Sequence, residues 1–181
     1  MRNQHAHIAQ LVGIIDRFTL LSGHWVAWLL MIMVVIQSLV VFFRYGFDSG
    51  SIAWQESVTY LHAAIFLLGA AYTLQCDEHV RVDIFYRRFS PQKQAKVNVF
   101  GSLFLLMPVN IFIFMVSFEY VMRSWRIMEA SQEAGGIPAV FILKSFILIF
   151  SFTMLLQGIA EVMRNMATLS SNKMPSQVQD K

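Results

Sequence analysis

The chain has 181 residues, 56% of them hydrophobic and only 14% charged, with sixteen Phe, eleven Met and a net charge of +3. Average soluble domains carry ~25% charged residues, so this composition excludes an ordinary soluble domain and describes an integral membrane protein. The small positive balance suits membrane orientation rather than nucleic-acid binding, and the lone Cys76 excludes an internal disulfide and any C-x-x-C redox or zinc motif.

Residues 1–17 are polar, with Arg2, Asp16 and Arg17. Phe18 to Phe43 then runs 26 residues without a formal charge. That is longer than the roughly 7–15-residue apolar region of a signal peptide, and Phe42-Phe43-Arg44-Tyr45 is no small-residue cleavage site. An uncleaved first span is predicted over about 23–43, with Trp25 and Trp28 at one interface and Phe42, Phe43 and Tyr45 at the other. Gly46 to Ser51 reads as a short turn. The second span, about 54–75, opens with Trp54 and Glu56 and carries His62. From Ser57 to Cys76 it crosses twenty residues without a formal charge. Such a run covers a ~30 Å hydrocarbon core at ~1.5 Å per residue.

The connector 77–96 is the most charged stretch, with Asp77, Glu78, His79, Arg81, Asp83, Arg87, Arg88, Lys93 and Lys96. Val80, Ile84 and Phe85 share one helical face, with Phe89 at its edge. This predicts an amphipathic segment lying in the membrane interface, although an ordinary basic loop has the same composition. Ser90-Pro91 reads as the N-cap and first position of the next helix. The third span, about 97–118, has Pro108 at its middle, which predicts a kink, with Asn110 near the freed carbonyls. Helical spacing continues through Glu119, Arg123, Arg126 and Glu129, with Glu119 and Arg123 an i,i+4 pair. A helix from 97 to about 130 would be ~50 Å long, so it either projects from the bilayer or breaks near the surface. Gly135-Gly136 ends the segment and Pro138 begins the next helix, a fourth span over about 139–160 with Lys144 inside it. Residues 1–168 then form a single membrane domain, and the polar stretch 169–181 is expected to be a disordered cytoplasmic tail.

The expected fold is therefore all-α and integral to the membrane: four transmembrane helices, an interfacial amphipathic segment, and both termini on one side. Ten of the fourteen Lys and Arg lie on the terminal side, and Arg44, Arg123 and Arg126 on the other. The positive-inside rule places both termini in the cytoplasm.

Ionisable residues within spans are candidates for function by default. With this topology Glu56 lies at the outer surface, His62 about 12 Å in and Lys144 about 9 Å in. Arg44 joins them in the outer third of the bundle. A Glu56–Lys144 pair is expected, since a lone buried charge is strongly disfavoured; the alternative is that Lys144 snorkels outward and Glu56 is merely interfacial. A proton or ion relay needs titratable groups throughout the bilayer, and the inner two-thirds offer only His24 with uncharged Gln37, Asn110 and Gln157. His24 and His62, counted inward from opposite faces, differ by more than ~15 Å in depth, too far to share one haem. No Ser/His/Asp set, H-E-x-x-H or Gly-rich phosphate loop is present, so the chain is not expected to be an enzyme or to hold a cofactor or metal.

Three motifs from the second span onward are then informative together: Trp54-x-Glu56, Leu68-Gly69-Ala70-Ala71 and His79-Val80-Arg81-Val82-Asp83. With Ser131-Gln132-Glu133, Pro138, Lys144 and Leu156-Gln157-Gly158, the chain resembles the small, Q-type membrane subunit of tripartite ATP-independent periplasmic (TRAP) transporters over about residues 20–165. A Gln stands at position 55, where an acid is common in that family.

The resemblance implies location in the bacterial inner membrane beside a large, twelve-span-type subunit that moves solute by an elevator motion coupled to sodium. A periplasmic binding protein would deliver the solute, usually an organic acid. The small subunit would be a static scaffold among phospholipids, helping to dock the binding protein. Gly69, Ala70 and Ala71 would allow close helix packing. His79, Arg81, Asp83, Phe85, Arg87 and Arg88 would anchor the scaffold in the interface. Glu119, Arg123, Arg126, Glu129 and Glu133 would be the contacts to the binding protein. Outside that family, two readings remain: a membrane anchor subunit of an oxidoreductase complex, and after it a stand-alone small exporter.

Overall fold

The computed structural model describes residues 2–79, 86 and 88–171. It contains four long helices: α1 (Arg2–Phe47), α2 (Ile52–Gln75), α3 (Pro91–Arg126) and α4 (Val140–Ser171). All four are long and apolar enough to cross a membrane. Helix α1 runs well beyond the expected 23–43, over 46 residues or about 69 Å. Nothing between Arg2 and Phe47 stops it, since the first proline of the chain is Pro91 and the turns of Ile8, Leu11, Ile15 and Phe18 continue the apolar pattern. Helix α4 likewise covers residues 169–171 of the expected tail, whose remainder lies outside the described residues. The expected interfacial segment lies largely outside them too, including Arg81, Asp83, Phe85 and Arg87.

Two helices end in the same way. After α2, Asp77 takes the left-handed conformation, the Glu78 amide donates to the Thr73 carbonyl at 3.0 Å and the Asp77 amide to Leu74 at 3.2 Å. After α3, Met128 takes that conformation, with Glu129 donating to Ser124 at 3.1 Å and Met128 to Trp125 at 3.2 Å. Both are Schellman closures, which satisfy carbonyls that would otherwise be orphaned at the membrane surface.

Helix α3 contains a π-helical turn, Ser102–Leu106, immediately before Pro108. Proline lacks an amide and clashes with the carbonyl four residues back, so a wider turn accommodates it. The Met107 amide reaches the Ser102 carbonyl, and Asn110 Nδ2 donates to the Leu106 carbonyl at 2.8 Å. The expected disturbance at Pro108 thus takes the form of a π turn.

Helix α4 is the centre of the bundle, touching α1, α2 and both halves of α3, while α1 packs on α2. Between α2 and α3 an open cleft of about 600 Å³ remains, lined by Leu74, Val97, Leu105 and Val109. The most deeply buried positions are small or polar, with Val121, Ser151, Gln157 and Ala160 fully buried, and Phe141 and Met154 are the bulky apolar residues among the buried ones. Bulky apolar side chains face outward, with Phe112 67% and Met115 70% exposed. That distribution suits lipid, where apolar surface has no reason to turn inward and close packing favours small residues.

Candidate functional site

Polar side chains gather at the two ends of the bundle. At the end away from the termini, the connection between α3 and α4 folds into a compact loop, 127–139, held from two helices. Glu56, one turn into α2, accepts hydrogen bonds from the Ser131 hydroxyl and from the Ile137 amide, the latter at 2.6 Å. Its backbone support is local: the Ser131 amide donates to the Ile137 carbonyl at 3.2 Å and the Glu133 amide to Ser131 Oγ at 3.2 Å. Gly136 is required at this point, since a Cβ there would lie 2.5 Å from Ser131 Oγ and 2.8 Å from Glu56 Oε1. Gly135 supplies the positive φ, 82°, that turns the chain.

Lys144, from the second turn of α4, does not pair with Glu56. It donates to Glu129 Oε2 at 2.5 Å and lies 4.1 Å from the centre of the Tyr120 ring. The expected Glu56–Lys144 pair is therefore replaced by two separate latches on one loop. The physical reason is the Schellman closure after α3, which turns Glu129 back over α4. The Lys144 ammonium beside it holds the Glu129 carboxyl below the usual carboxylate range. Trp125 completes the corner, donating to Ser145 Oγ at 2.8 Å and stacking edge-on against Phe141 at 4.6 Å.

The other expected residues lie apart. Arg44 and Trp54 are exposed near the α1–α2 turn, and His62 is exposed on α2 with its ring 6.4 Å from that of Phe66. Glu119 and Arg123 form an exposed ion pair at 2.8 Å, and Arg126 and Glu133 are also exposed. Glu129, grouped with them on sequence, is instead bound internally. Ala71 is buried, and Gly69 faces Val26 of α1, so this part of the small-residue stretch packs within the chain. Gly69 and Ala70 line an open cleft together with His79. Arg88 is exposed.

The opposite end holds a network that sequence reasoning missed. Arg164 of α4 donates to both oxygens of Asp16 on α1, at 2.9 and 3.1 Å, and to Glu161 at 2.9 Å. The fully buried Gln157 donates to Asp16 Oδ1 at 3.3 Å and accepts from the Thr19 hydroxyl at 3.0 Å. Gln75 of α2 donates to the Asp16 carbonyl at 3.2 Å. Asn98 of α3 donates to Asn165 at 3.4 Å and accepts from the Tyr86 hydroxyl at 3.0 Å. All four helices are thereby tied together. The available signal was Gln157 in an apolar run with Glu161 and Arg164 at helical spacing after it, but Asp16 and Arg164 read as parts of polar ends.

The fold and these two polar ends define a multi-pass membrane protein whose buried polar groups join helix to helix. Residues 30–168 match the family described as Tripartite ATP-independent periplasmic transporters, DctQ component, and the chain belongs to that family. It is thus the small membrane subunit of a TRAP transporter. No curated protein and no solved structure matches it.

Proposed function

We propose that this chain is the static scaffold for the large, elevator-type subunit of its transporter, in sodium-coupled uptake of an organic acid or similar small solute. The observation that carries this reading is the pair of polar ends, one tying all four helices and one latching the 127–139 loop. A body fixed at both ends suits a support against which another subunit moves. Among the described residues its charged groups lie toward the ends rather than strung across the membrane, so solute and sodium would be carried by the large subunit, with no cofactor in this chain. Both termini would face the cytoplasm, which puts the latched loop on the periplasmic side. There Glu119, Arg123, Arg126 and Glu133 remain exposed for a solute-binding protein. Glu129 serves the loop instead.

Proteoliposomes test this directly. With this chain, its large subunit and the binding protein loaded with its own labelled solute, accumulation is expected under an inward sodium gradient. It should stop when this chain is left out or the gradient is collapsed. Accumulation by this chain alone would overturn the scaffold reading.

A further inference from the structure

Within the spans, the amides of Gln157, Asn110, Gln75 and Asn98 each donate a hydrogen bond inside the chain. Gln37 and His62 are different. Both are exposed, and neither makes a side-chain hydrogen bond among the described residues. They sit at one depth: Gln37 is ten residues before the end of α1 and His62 ten residues after the start of α2. Each is therefore about 15 Å along its helix from the α1–α2 turn, and with Glu56 at the outer surface both lie in the outer half of a ~30 Å core. They line the same open cleft between α1 and α2, of about 430 Å³. Through Gln37, Val58 and Thr59 this cleft continues into a second one, which Gln55 and Arg44 also line. The result is a polar stripe, cationic at its outer end, facing out of the bundle at membrane depth.

Lipid tails offer such groups no partner, and polar side chains in spans face protein or water. An apolar exposed face is neutral between lipid and protein, because tails are as apolar as Leu. A polar stripe is not neutral. We infer that the α1–α2 face carrying Gln37, His62 and Arg44 docks the large TRAP subunit, through a membrane helix that presents hydrogen-bond acceptors in the outer half of the core and an acidic group near the outer surface. This rests on the scaffold reading above, which supplies the membrane-embedded partner. The charge of the stripe selects the occupant: a second copy of this chain would set Arg44 against a like face.

The test uses the co-expressed complex of this chain with its large subunit. A photo-crosslinking p-benzoylphenylalanine is placed at position 37 or 62, and at position 112 or 115 as exposed apolar controls on α3. Adducts with the large subunit are expected from 37 and 62 and not from 112 and 115. In parallel, Q37L/H62L is expected to reduce recovery of the large subunit roughly tenfold, the loss of two interhelical hydrogen bonds, while the isolated chain keeps its thermal midpoint. Adducts from 112 or 115 alone would overturn the assigned face and leave the partnership intact. So would undiminished recovery with Q37L/H62L. Adducts from 37 or 62 to another copy of this chain would overturn the assigned partner. If the unaltered chain recovers no large subunit, the scaffold reading itself fails, and the docking face with it.

Discussion

Lys144 and Glu56 illustrate how far a charge in a span can be interpreted before its neighbours are known. Each was visible as a polar group in an apolar run, and each needed a partner. Several carboxylates lie near the same end of the bundle, at positions 56, 119, 129 and 133. Helical periodicity places Glu119 and Arg123 on one face but does not place Glu129, because the helix has already ended there. The turn at Met128 decides that Glu129 meets Lys144 and leaves Glu56 to the loop amides. A pH dependence follows. The Glu129 carboxyl is held below its ordinary range, so its contribution is complete above about pH 4.3 and is lost as pH falls through the lowered value. Limited proteolysis within 127–139 is therefore expected to be flat from about pH 8 to 5 and to rise below about pH 4. Glu129→Gln should show the faster cleavage already at neutral pH and a smaller acid step. An unchanged acid step in that variant would remove Glu129 as its source.

Helix α1 meets α2 at a point that composition does not reveal. Gly23 is buried, and a Cβ there would lie within 2.5 Å of Cγ of Tyr72. The run Leu68-Gly69-Ala70-Ala71 announces a small-residue face, whereas Gly23 stands alone between Ser22 and His24. A lone glycine gains meaning only from the aromatic ring opposite it. Gly23→Ala is expected to destabilise the chain in detergent by about 1–3 kcal/mol, read as a lower thermal midpoint, because the two helices must separate. Adding Tyr72→Leu should return most of that loss. A Gly23→Ala variant as stable as the parent would show that the ring moves freely aside. The π turn in α3 is the converse case: Pro108 announced a disturbance, and the local geometry of proline was sufficient to locate it.

Coherence of the bundle depends on the network around Gln157, where α1 and α4 share one buried amide. Gln157→Leu leaves the buried Thr19 hydroxyl without its acceptor and is expected to cost about 1–3 kcal/mol in thermal or denaturant unfolding. The double variant with Thr19→Val removes both partners and should recover part of the loss. If the two changes simply add, the hydrogen bond carries no coupling between the helices. The four apolar runs, their crossing of the membrane and the family they belong to were all legible before any fold was known. Transfer of a ~20-residue segment into lipid is a property of that segment alone. The partners of the polar groups were not legible. Lipid-facing apolar surface leaves the rotation and register of each helix open, and these are set by contacts between helices. Asp16 with Arg164, Lys144 with Glu129, and the outward turn of Gln37 and His62 all depend on that rotation, so they emerge only when the four helices are packed together.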